Sequence, residues 1–166
     1  MQGIMPMRKV IVNSTPLIAL SKINRLELLK ELYGEITIPE AVFHEVTAKN
    51  DGVRRKLLES GAWVHVQQIS DNSDKRMYKA KLHDGEVEVM ILAQEVKADL
   101  VIIDDNAARK TAIYLGLPLT GTIGVLLRAK EKGLVSKIMP LIESMERNGL
   151  YFGPQLKAWV RSQAQE

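Results

Sequence analysis

The run Leu100-Val101-Ile102-Ile103-Asp104-Asp105 sets four apolar residues, three of them β-branched, directly before two carboxylates. A short apolar run without polar alternation suits a strand buried on both faces, as in a covered parallel sheet. The strand ends at the acidic pair.

Outward from it, short apolar runs alternate with amphipathic stretches, the pattern of βαβ units and an α/β fold. Further strands are predicted over 9–12, 35–38, 63–66 and 118–119. Helices are predicted over 17–22, 26–33, 39–47, 52–60, 85–97 and 106–115, with two or three more after Ile123. Thr15 reads as an N-cap with Pro16 at the first helical position, and Asp84 as the cap of the 85–97 helix. Gly34, Gly116, Gly133 and Gly149 mark helix ends or breaks. Asp71-Asn72-Ser73 reads as a turn.

Right-handed crossovers put helices on both faces of a parallel sheet and all strand C-termini at one edge, where ligands bind. The residues predicted just past the strands are Asn13, Asp104, Asp105 and Thr120-Gly121-Thr122. Two more acids lie in helices near that edge. Glu45 stands between Val42 and Val46, at the margin of an apolar stripe where a charge is costly. Glu86 lies in the first turn of the helix leading to the acidic strand.

Each residue has a plain structural use as well. Glu86 complements a helix N-terminus, Asp105 is a natural N-cap, Glu45 can reach solvent along its stem, and Asn13 can cap locally with Ser14. Asp104 resists this treatment, since only one of the adjacent pair can cap. Taken together, several carboxylates at one edge raise each other's pKa unless a cation sits among them. Hard oxygen ligands favour Mg²⁺ or Mn²⁺. Such an ion polarises a phosphoryl oxygen and acidifies a bound water, which suits phosphodiester hydrolysis. His44 abuts Glu45 and His83 abuts Asp84, but no His-x-x-x-His pair occurs, so ordinary surface or core roles are the plainer reading of the histidines.

The composition sets the outer bounds. The 166 residues, 46% hydrophobic and 26% charged, fit one globular domain. Without cysteine, disulfides, thiolate zinc sites and cysteine nucleophiles are excluded. At 5% aromatics, a base-stacking surface of the single-strand-binding kind is not expected. No apolar export segment precedes Arg8 and Lys9, and no run approaches the roughly 18 residues of a membrane span, so a cytoplasmic protein is expected. The net charge of +3 comes from the C-terminal part, where Arg128, Lys130, Lys132, Lys137, Arg147, Lys157 and Arg161 outnumber Glu131, Glu143, Glu146 and Glu166. That excess is either a phosphate-contacting face or a solvated helical surface. Met139, Leu141, Ile142 and Met145 form either a core face or a dimer face.

With these residues in view, the chain resembles the PIN-domain family, and more closely a prokaryotic subgroup of largely uncharacterised PIN proteins. The matching motifs run in order: Asn13-Ser14-Thr15-Pro16-Leu17-Ile18; Ile38-Pro39 with Val42 and Glu45; Asp84-Gly85-Glu86; Leu100 to Asp105 with Ala108-Arg109-Lys110; and Gly121-Thr122 with Gly124 and Leu126. The resemblance implies a three-layer α/β/α fold with a central, mainly parallel sheet. It implies one domain over residues 8–166, with 123–166 as its helical C-terminal part and 1–7 outside it. It also implies a metal-dependent ribonuclease, often the toxin of a toxin–antitoxin pair and often a homodimer, acting on RNA and neutralised by an antitoxin protein. The family's acids fall on Asn13, Glu45, Glu86 and Asp104, with Asp105 beside the last; these are the expected Mg²⁺ or Mn²⁺ ligands. Glu45, Glu86, Asp104 and Asp105 are the expected catalytic acids. Ser14, Thr15, Arg109 and Thr122 are expected to hold the phosphate. One departure stands out: position 13 is Asn, a neutral and weaker ligand than the family's Asp. The alternative is therefore a non-catalytic module of the same fold that binds RNA or a protein. A receiver-like phosphoacceptor domain is disfavoured, because there the acidic pair follows the first strand.

Overall fold

The computed structural model describes residues 9–49, 51–70, 75 and 82–166. Residues 1–7 and the turn expected at Asp71-Asn72-Ser73 lie outside the described residues.

Five strands form one sheet: β1 (Val10–Val12), β2 (Ile36–Pro39), β3 (Val64–Gln67), β4 (Leu100–Ile102) and β5 (Leu119–Thr120). Their order is β3-β2-β1-β4-β5, and every pairing is parallel. The central strands are apolar throughout because both faces are covered: Val10, Ile11, Val12, Val101 and Ile102 are all buried.

The helices among the described residues are α1 (Ser14–Lys22), α2 (Glu27–Tyr33), α3 (Glu40–Lys49), α4 (Asp51–Glu59), α5 (Asp84–Glu95), α6 (Asn106–Tyr114), α7 (Thr122–Glu131), α8 (Met139–Arg147) and α9 (Pro154–Ala164). With β1 central, right-handed crossovers send the β1–β2 and β2–β3 connections over one face, and those flanking β4 over the other. α1 packs with α3, α4 and α7, while α5 packs with α6 and, more extensively, with α3. The result is a three-layer α/β/α fold around an all-parallel sheet.

Two local expectations are corrected and one open alternative is resolved. The first helix starts at Ser14 with Asn13 as its N-cap, not at Thr15. Pro16 is tolerated because the first helical turn has no backbone acceptors for its N–H groups. The fifth helix is capped at His83, one residue before Asp84. The apolar face of α8 serves the chain's own core: Met139, Ile142 and Met145 are buried, with Leu141 packed at the margin. No helix among the described residues is long and apolar enough to cross a membrane.

Candidate active site

β1 pairs with β2 on one side and β4 on the other, so the strand order reverses between β1 and β4. In open α/β sheets the crevice beyond the strand ends at such a reversal is the usual ligand site. Val12 lies opposite Ile102, and the N–H of Asn13 donates to the Ile102 carbonyl at 2.9 Å. Asn13 is thereby fixed beside the end of β4. The residue is only 4% exposed, and among the described residues its Oδ1 has no hydrogen-bond partner. A buried acceptor left unsatisfied costs about 1–3 kcal/mol, which makes this oxygen a ready ligand.

Asp104 turns away from β4 towards the start of α7. Its Oδ1 accepts from the Thr122 N–H at 2.8 Å and its Oδ2 from the Thr122 hydroxyl at 2.6 Å. Gly121 makes this approach possible: a Cβ there would stand 2.6 Å from Asp104 Oδ1 and 3.1 Å from Arg109 Nη1. Arg109 Nη1 donates to the Ile103 carbonyl at 2.9 Å, so the guanidinium is anchored at the end of β4.

Glu45 is half-buried on α3, and its Oε2 accepts from the Ser14 hydroxyl at 2.9 Å. α3 and α5 touch where Gly85 faces this pair, since a Cβ at Gly85 would lie 2.8 Å from Glu45 Oε2 and 3.3 Å from Val42 Cγ2. Ser14 is buried, whereas Thr15 is exposed on the first turn of α1.

Glu86 is 7% exposed, and its Oε1 accepts from the His83 N–H at 3.0 Å. Burial pushes its carboxyl above the usual range, and the charge of Asp105, which it meets by a side-chain hydrogen bond, adds to the rise. Asp105 also caps α6, accepting from the Ala108 N–H at 2.9 Å.

The structure thus brings the sequence-derived residues together in linked pairs: Glu86 with Asp105, Asp104 with Thr122, and Glu45 with Ser14. Full convergence of the acids is not seen: among the described residues, no three acidic or histidine side chains gather closely enough to hold a metal by themselves.

A family model described as a PIN domain matches residues 9–166. The chain belongs to the PIN-domain family. No curated protein shows significant similarity to it. PIN domains are generally nucleases.

PIN domains typically use divalent metal ions. Such ions keep several waters and often need only one or two carboxylates, the rest coming from substrate phosphate. Glu86 and Asp105 are one pair of carboxylates that could hold such an ion. Two of the basic C-terminal residues are already paired with acids. Lys130 pairs with Glu166 at 3.0 Å, eight residues along α7 from Thr122, a separation of about 12 Å at helical rise. Lys157 is paired with Glu146 at 3.2 Å.

Sequence reading did not single out Glu88. It is buried on α5, where Oε1 accepts from the Ala41 N–H at 3.1 Å and Oε2 pairs with Lys75 at 2.9 Å. The signal was a lone carboxylate inside the apolar run Val87 to Ala93.

Proposed function

We propose that this PIN domain is a divalent-metal-dependent ribonuclease whose metal site is built on Glu86 and Asp105, with Asn13, Glu45 and Asp104 around them. The observation that carries this reading is the buried Glu86 carboxyl, anchored on the His83 N–H with Asp105, itself anchored on the Ala108 N–H, as its charged neighbour. Two like-charged groups are held together at the reversal point of the sheet, and a cation relieves their repulsion. When bound, Mg²⁺ or Mn²⁺ supplies charge neutralisation at the phosphoryl oxygens and a more acidic water.

The chain's own residues do the rest. Arg109 keeps one N–H on the Ile103 carbonyl and offers the remaining guanidinium donors to a phosphate oxygen. Thr122 places the positive end of α7 beside the same point, and its grip on Asp104 holds that carboxylate still. Ser14 orients Glu45. The same proposal extends to the family's frequent setting: a homodimeric cytoplasmic toxin acting on RNA and bound by an antitoxin protein.

A second reading, a non-catalytic RNA- or protein-binding module, draws on Asn13. The neutral amide replaces the first acid, and Glu45, Glu86, Asp104 and Asp105 each already accept a structural hydrogen bond.

Labelled single-stranded RNA incubated with the protein in Mn²⁺, Mg²⁺ or EDTA separates the two. Metal-dependent cutting that disappears in Glu86→Gln supports the nuclease. Absence of cutting, with no heat on Mn²⁺ titration, supports the binding module.

A further inference from the structure

α3 follows β2 without a capping side chain of its own: Pro39 precedes its first residue, Glu40, and has no side-chain acceptor to offer. The first turn of a helix leaves its N–H groups without backbone partners. The Ala41 N–H finds its acceptor 47 residues on, at Oε1 of Glu88 on α5, 3.1 Å away. Glu88 is only 7% exposed, and its Oε2 bonds Lys75 at 2.9 Å, so both oxygens are engaged. A carboxylate at a helix start binds more firmly than a neutral acceptor, because it meets the positive end of the helix.

A charge buried within the apolar run of α5 is costly, and a second contact between the same two helices shows what it holds. A Cβ at Gly85 would lie 2.8 Å from Glu45 Oε2 and 3.3 Å from Val42 Cγ2. Ala41 and Glu45 stand four residues apart on α3, and Gly85 and Glu88 three apart on α5, so each couple shares one helix face. The order is reversed between them: Ala41 meets Glu88, and Glu45 meets Gly85. The two helices therefore run antiparallel where they touch, pinned by Glu88 at one end and closed on Gly85 at the other. At that second end Glu45 Oε2 accepts from the Ser14 hydroxyl at 2.9 Å. A slide of α3 by one residue is about 1.5 Å, enough to break this bond or drive Glu45 into Gly85.

We infer that Glu88 is a positioning residue: it pins the start of α3 to α5 and so holds the Glu45 carboxylate against Ser14, in place for a divalent ion. The inference rests on the metal-dependent reading of the site and adds to it an acid that holds no ion itself. Glu88 acts through the backbone of α3, one helical turn before the carboxylate it places. Groups that orient a metal ligand in this way set its affinity nearly as strongly as the ligands do.

The test is calorimetric titration with Mn²⁺ of the parent, Glu88→Ala, Glu88→Gln, Glu45→Ala and the Glu45→Ala/Glu88→Ala double variant, with folding checked by circular dichroism. Glu88→Ala is expected to weaken Mn²⁺ binding about tenfold. Glu88→Gln keeps an acceptor for the Ala41 N–H and is expected to recover most of that loss. In the Glu45→Ala background Glu88→Ala should cost nothing further, since the carboxylate to be placed is gone. Should Glu88→Ala not fold, Glu88→Met, closer in volume to glutamate, takes its place in the same comparison. An equal loss in both backgrounds, or Glu88→Gln no better than Glu88→Ala, overturns the inference. RNA cleavage is measured on the same samples. A parent that neither binds Mn²⁺ nor cuts RNA removes the nuclease reading and the inference with it, whereas a parent that does both, matched by Glu88→Ala, removes the inference alone.

Discussion

Asp104 grips Thr122 at two points, Oδ1 on the backbone N–H at 2.8 Å and Oδ2 on the hydroxyl at 2.6 Å. One carboxylate so joins the end of β4 to the start of α7, across 18 residues of sequence. Asp104→Ala is expected to cost about 2 kcal/mol, as loss of a helix cap does, and Thr122→Val about 1 kcal/mol. Asp104→Asn keeps an acceptor for the N–H and loses less stability, but RNA cleavage falls about a hundredfold. Urea unfolding and cleavage on the same samples check this. Undiminished cleavage by Asp104→Asn would reduce Asp104 to a cap.

Glu86 is held charged against its preference. Its folded pKa is raised by burial and by Asp105, so the folded state loses stability as pH rises through the carboxyl range, and the loss persists above it. Glu86→Gln keeps an acceptor for the His83 N–H while removing the charge. It is expected to melt higher than the parent at about pH 7, to match it at about pH 3, and to lack nuclease activity. A lower melting temperature at neutral pH would contradict the strain.

Gly85 leaves no room beside Glu45. A Cβ would stand 2.8 Å from Glu45 Oε2, the free end of a flexible chain, so Glu45 yields before the backbone does. Gly85→Ala is expected to keep its melting temperature within a few degrees. Cleavage falls about tenfold as the carboxylate swings off Ser14. In a Glu45→Ala background the glycine substitution should have no further effect. An additional loss there would show that Gly85 acts by another route.

Asn13 offers a different probe. Asn13→Asp puts a charge at a buried position with no partner, and the melting temperature in EDTA should drop by an amount equal to about 1–3 kcal/mol. Mn²⁺ should restore more stability to the variant than to the parent, because binding stabilises by mass action. Equal responses to Mn²⁺ would show that Oδ1 does not face the ion.

At the far end of the molecule Glu166 staples the C-terminus. Its Oε2 accepts from the Ile138 N–H at 2.9 Å and from Lys130 at 3.0 Å, and its Oε1 from the Met139 N–H at 3.0 Å. Burial opposes ionisation, but these donors prevail and keep its pKa below the usual range. The stabilisation is therefore complete above the ordinary glutamate pKa and is lost as pH falls through the lower folded value. Glu166→Gln should cost about 1 kcal/mol at neutral pH and much less in acid, as read by thermal melts across that range.

Much of this fold is legible from short stretches. Apolar β-branched runs give β1 and β4, and glycines at 34, 116, 133 and 149, all with positive φ, end their helices as expected. Asp105 as the cap of α6 is legible too, since its acceptor work spans three residues. The misreadings are slips of one or two residues at helix starts. Thr15 looks like a cap, but Asn13 takes the place because β1 ends there with its N–H on Ile102. Asp84 looks like a cap, but Glu86 reaches back to the His83 N–H and moves the boundary. The relations that build the site, Asp104 with Thr122 and Gly85 with Glu45, join residues far apart in sequence, and no local pattern encodes them. Glu88 lies between these cases: its place in an apolar run is visible, but its partner on α3 is not.

The register that pairs Val10 with Leu100 has a consequence for the chain's synthesis. The central strand is made about ninety residues before its neighbour, and distant pairings of this kind form slowly. Asn13 and Ser14 emerge first, Glu45 next, Glu86 and the Asp104-Asp105 pair later, and Thr122, which steadies Asp104, last. A nascent chain therefore carries its acids unassembled while it is still bound to messenger and ribosomal RNA. The proposed site is put together only once Thr122 has been made.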